Sequence, residues 1–127
     1  MANRLLINNI PAYTSATVTR LREVVSAAAG TIAANAAASM EGQEPPSDPG
    51  SPPAIRSGLL HGSIRSTGNT TSREIEYYAF TDVEYAQHLE YGTIFMEARP
   101  FMRPAAEKVR PSYEAACRAV MRRSGVL

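Results

Sequence analysis

An α+β fold is predicted, with a small antiparallel β-sheet packed against a long N-terminal helix and a C-terminal helix, and three observations predict it. Residues 14–40 carry apolar side chains at helical spacing, residues 73–83 alternate apolar with polar, and a helix-compatible run follows Pro104. A chain of 127 residues has the size of one domain, and folding should bury roughly two-thirds of its unfolded surface. One domain over 1–127 is expected, divided into a helix at 14–40, a Pro-rich loop at 42–56, a β-rich part at 57–103 and a helix at 104–123.

In the first helix Val18, Leu21, Val25, Ala28 and Ile32 recur at alternating steps of three and four, the stripe of an amphipathic helix. Most of the stripe is small, so it removes little area per residue from water and needs a close neighbour, within this chain or on another subunit. Residues 42–53 read GQEPPSDPGSPP. Prolines at this density remove backbone donors, and neither helix nor sheet continues through them. A loop of this length is held either by local packing or by neighbouring subunits.

Ile75, Tyr77, Ala79 and Val83 alternate with Glu74, Glu76 and Asp82, the period of a half-buried strand. Tyr78 and Phe80 break its polar face, which implies a cover from the C-terminal helix or from another subunit. Residues 59–66 are the expected partner strand, and Gly68-Asn69-Thr70-Thr71-Ser72 the turn that closes an antiparallel hairpin. The last helix opens with Pro104 and ends with Arg122 and Arg123 near the negative end of its dipole, Gly125 lying beyond. Pro111 inside it predicts a kink or two short helices.

Composition excludes several functions. Thirteen Lys+Arg against 12 Asp+Glu give no basic field for bulk nucleic-acid binding. The stretch 18–40 is interrupted by Arg22, Glu23, Gly30, Thr31 and Asn35, too polar for a bilayer span, and the first residues do not form a signal peptide. Cys117 is the only cysteine, which agrees with a reducing compartment, and its alanine neighbours favour packing over reactivity. His61 and His88 lack companions at metal-ligand spacing, so no metal or cofactor is expected. His88 with Glu84 or Glu90 is the one acid/base pairing a small nuclease or toxin could use. No phosphate loop, nucleophile elbow or paired-carboxylate motif is present, and the chain is read as no enzyme.

The informative segment is 85–105, YAQHLEYGTIFMEARPFMRPA. Gly92 permits a positive φ straight after a strand-like Leu89-Glu90-Tyr91, and Pro100 and Pro104 bracket Phe101 just before a helix. Core filling and interface contact are both open to Tyr85, Tyr91, Phe95, Phe101 and Met102. Phe101 is favoured as a core anchor, and Arg99 and Arg103 beside it as interface cations.

This segment resembles the siphophage tail-completion or head-to-tail joining proteins, minor tail components of the gene-product-ten-like kind. The resemblance rests on Tyr85 and Ala86, then Glu90, Tyr91, Gly92 and Thr93, then Met96, Ala98, Pro100, Phe101, Arg103, Pro104 and Ala105. A second family element lies upstream as Ser57-Gly58-Leu59-Leu60-His61-Gly62-Ser63-Ile64. It departs from the family at Ser57, where threonine is usual, and at Leu60 or His61, where a basic residue is common.

The resemblance implies a structural virion protein, made in the host bacterial cytoplasm and carried in the tail or neck, that joins tail to head as one subunit of a ring. The expected ring is six-fold, with twelve-fold as the alternative, because closed symmetry repeats one patch without a free end. Implied partners are other copies of the chain, the tail terminator, the tail tube and a stopper or adaptor, with DNA in the lumen and no membrane. The residues implied in assembly are Gly58, Leu59, Ser63, Tyr85, Glu90, Tyr91, Gly92, Thr93, Arg99, Pro100, Phe101, Arg103 and Pro104. The alternative is a nucleic-acid-binding module on the last helix, using Lys108, Arg110, Arg118, Arg122 and Arg123, although Glu107 and Glu114 interrupt that set.

Overall fold

Alternation begins earlier than residue 73. In the computed structural model, which describes residues 1–56 and 58–125, Ala2–Ile7 form strand β1, and Leu5 and Ile7 reach the core. After a 3-10 turn at Ile10–Ala12, Thr14 caps helix α1 (Ser15–Ser39) by accepting a hydrogen bond from the Thr17 amide. The short helix α2 (Leu59–Ser63) leads into strands β2 (Arg65–Thr70) and β3 (Ile75–Phe80). Helix α3 (Ala86–Tyr91) and helix α4 (Met102–Arg123) complete the chain.

The sheet is antiparallel in the order β1-β3-β2, with β3, its most apolar strand, in the middle. Leu5 pairs with Tyr77 and Ile7 with Ile75, so one face presents Leu5, Ile7, Ile75, Tyr77 and Ala79 to the helices. Gly68 faces Tyr77 across the hairpin, where a Cβ would collide with the tyrosine ring and the Glu76 carbonyl. Helices α1 and α4 run antiparallel over this face. Leu21 and Val25 share a cluster with Val120, whereas Ile32 and Ala36 share one with Ala105 and Val109. Alanines 28, 29, 33 and 36 are buried in α1, where their small volume permits close approach of the neighbouring backbones.

Three expectations are corrected and a fourth is narrowed. Residues 59–66 are mostly helical, and the partner strand starts at Arg65, because Gly58 at φ 82° opens a helical turn that Gly62 closes on the Gly58 carbonyl. The hairpin turn lies at Thr71 to Glu74, where the Thr71 hydroxyl accepts from the Arg73 and Glu74 amides, so Gly68, Asn69 and Thr70 stay in the strand. The strand-like 89–91 is the end of α3. The 57–103 part is therefore two strands and two short helices, with Ser57 outside the described residues. Of the two expectations at Pro111, two short helices are excluded: α4 is one helical element, and because Pro111 is exposed the lost backbone bond falls on the side where water can meet the freed carbonyl.

The outer face of the sheet is not covered by α4, which lies on the other side, where Asn3 donates to the Met102 carbonyl at 3.0 Å. Instead Tyr78 and Phe80 are half-buried among their neighbours. Glu76 receives Arg4 Nε at 2.6 Å and the Tyr78 hydroxyl, and Arg65 lies over the Phe80 ring at 4.5 Å while pairing with Asp82. The Tyr78 hydroxyl bond, then Arg4, hold the Glu76 carboxyl below its ordinary range. The loop 42–53 docks on its own chain: Gly50 N donates to the Ala98 carbonyl at 2.8 Å and Arg99 Nε to the Ser47 carbonyl at 2.9 Å.

Candidate assembly surface

A helix begins with four amide groups that lack intrahelical acceptors. At the start of α4 these belong to Phe101, Met102, Arg103 and residue 104, and residue 104 is proline, which has no N–H. The other three are satisfied by one side chain. Glu90 Oε2 accepts from Phe101 N at 2.8 Å and Met102 N at 3.0 Å, and Glu90 Oε1 accepts from Arg103 N at 2.8 Å. The Glu90 side chain is buried against the first turn of α4, where these amides would otherwise lack acceptors. Glu90 thus locks α3 to α4, and the acid/base pairing of His88 with Glu90 has no free carboxylate to work with. His88 and Glu84 are both exposed.

Phe101 is 0% exposed, in one cluster with Met40, Leu60, Met102 and Ala105, as expected of a core anchor. Arg99, expected as an interface cation, is partly buried and occupied. Its amide donates to the Leu89 carbonyl and its guanidinium to Ser47, because the Pro-rich loop folds back over it. Pro100 is half-buried between them, and Arg103 is exposed at its side chain. In the upstream element, Ser63 Oγ lies 2.6 Å from Thr81 Oγ1 and donates to the Leu60 carbonyl, tying α2 to the end of β3. Gly58 supplies the left-handed residue that starts α2 and Leu59 is exposed, while Ser57 is outside the described residues.

Between these fixed ends the chain turns outward. Gly92 has φ 76°, and a Cβ there would stand 2.9 Å from both Ala98 N and Met96 O, so both conformation and space demand glycine. Thr93 and Met96 exchange backbone hydrogen bonds, and Thr93 Oγ1 accepts from Phe95 N, which closes a tight turn with Ile94 and Phe95 at its tip. Both are 93% exposed, and nearby Tyr91 is 72% exposed. Ile94 was not singled out from sequence; the signal was a pair of large apolar residues between two hydrogen-bonding turn positions. Met96, in the same turn, also lines a cavity of about 400 Å³ whose wall includes Met40, Pro53, Ala54, Leu60, Tyr85 and Leu89.

The remaining candidates are dispersed. Lys108, Arg110, Arg118, Arg122 and Arg123 are exposed but spread around α4, and Arg118 lies 4.0 Å from Glu114. Burial, more than any neighbouring charge, pushes the Cys117 thiol up, and burial likewise raises the adjacent Tyr113 phenol. Among the described residues no group of His, Cys, Asp and Glu is placed to hold a metal, and no helix is long and apolar enough to cross a membrane. Compared with protein-family models, curated proteins and solved structures, the chain matches none.

Proposed function

We propose that the chain is a structural protein of a tailed-phage virion, a non-catalytic subunit of a ring in the neck that joins tail to head. The observation that carries this reading is the Ile94–Phe95 tip. Two large apolar side chains are held in water by a turn that Gly92, Thr93 and Met96 brace and that Glu90 anchors to the core. Exposing them opposes the hydrophobic effect, and a protein surface that excludes water would relieve it. The residues that make the resemblance to tail-completion proteins are the same ones that build this turn and its anchorage, which supports reading the motif as a device for presenting a contact. Glu90 is fully engaged in capping α4, and the cations of α4 form no continuous stripe, so neither catalysis nor nucleic-acid binding draws comparable support.

The test is deletion of the gene from the phage that encodes it. Electron microscopy of the lysate is expected to find filled heads and finished tails that are not joined, and wild-type protein added in trans should restore infectious particles. Normal yields of joined, infectious particles without the chain would overturn the proposal.

A further inference from the structure

We infer that the Ile94–Phe95 tip of one copy fills the cavity beside Met96 of the next copy, a head-to-tail contact. The contact stands on surfaces of this chain, and its direction rests on the ring reading above. The cavity, about 400 Å³ and lined chiefly by apolar side chains, lies at the foot of the tip, a size in the range of pockets that hold small apolar groups. The tip does not occupy it, since Ile94 and Phe95 are 93% exposed. An unfilled apolar hollow and an unburied apolar knob on one chain can meet when two copies come together.

One further feature matches. The exposed Glu97 follows the tip and the exposed Arg56 stands at the cavity rim, and among the described residues neither is in an ion pair. Seating the tip of one copy in the cavity of the next brings these opposite charges to the same contact.

Tip and cavity are different surfaces, so they can repeat head to tail from copy to copy until a ring closes, the arrangement that the ring reading selects over a reciprocal pair. A knob of two side chains buries far less than the roughly 800 Å² per partner of a stable interface, so the isolated protein associates weakly and docking on a tail completes the ring.

Sedimentation equilibrium of the purified full-length protein tests this. Wild type is expected to associate with a dissociation constant between about 0.1 and 1 mM, passing beyond dimers as concentration rises. F95A should weaken association by about thirtyfold or more. Ala54→Trp, which fills the cavity, should do the same, both variants melting as wild type. Mixed together, the two should form a 1:1 complex that grows no further, because one retains a cavity and the other a tip. Arg56→Glu and Glu97→Arg should each weaken association about threefold, and the double reversal should restore it. Association that stops at dimers, no association at 1 mM, or a mixture that stays monomeric would each overturn the head-to-tail contact. Loss of head–tail joining on gene deletion would still uphold the neck reading, so the two failures are distinguishable.

Discussion

Within one stretch of about twenty residues, the base and the tip of the 85–105 segment have opposite surroundings. At the base, Ala86, Glu90, Phe101, Met102 and Ala105 are buried, and the Glu90 carboxylate holds three amide groups. At the tip, Tyr91, Ile94 and Phe95 are exposed although they are large and mostly apolar. Base residues must therefore be judged by stability and tip residues by association. A motif that contains both is not a list of contacts; half of it builds the platform on which the other half stands.

The sharpest break of this contrast is at Phe101. Phe101→Ala removes a fully buried ring and should cost about 3 to 5 kcal/mol of stability, read as a lower denaturation midpoint at unchanged slope. Next, Glu90→Ala leaves three amides at the start of α4 without acceptors and should cost about 2 to 3 kcal/mol. Glu90→Gln should recover part of this, since its one carbonyl oxygen accepts where two oxygens did before. A loss under about 0.5 kcal/mol in either alanine variant would remove the distinction between base and tip.

A smaller effect is expected from pH. The Cys117 and Tyr113 protons are held more tightly in the folded than in the unfolded chain, burial being the main cause for each. The folded state then binds more protons once pH exceeds the ordinary thiol value of 9.0, so stability is fully present below that value and falls above it. Thermal melts across that range should show the fall, and Cys117→Ala should reduce it. The smallest effect on folding is at the tip. Ile94→Ser and Phe95→Ser should change stability by no more than about 0.5 kcal/mol while preventing incorporation into particles, assayed by complementation of the deletion phage. A Phe95→Ser protein that melts several degrees lower would place the tip in the core and erase the comparison.

The α+β class, α1 within a residue at each end, the central strand and the core role of Phe101 were legible because each has a local pattern. Leu21, Val25, Ala28 and Ile32 mark one helix face, and Ile75, Tyr77 and Ala79 one sheet face, whatever else the chain does. β1 was missed because its alternation is blurred, Leu5, Leu6 and Ile7 being consecutive apolar residues at the very start. α2 and α3 were read as strands because five or six residues are too few for helical periodicity to outweigh a local apolar run. The part of the candidate site that sequence hid is non-local. A capping box places its acid three residues into the helix, whereas Glu90 lies eleven residues before Phe101 and reaches it only because Gly92 reverses the chain. The intramolecular contact of Arg99 was hidden for the same reason, its acceptor Ser47 lying 52 residues away.

The central claim, that this chain is a ring subunit of a phage neck, is tested most directly by a cryo-electron microscopy reconstruction of the head–tail junction in virions that encode it. The account predicts a ring of copies there, six in number, each with α1 and α4 over its sheet and with residues 94 and 95 seated against the next copy. A junction resolved to side chains that contains no copy of this chain would contradict it.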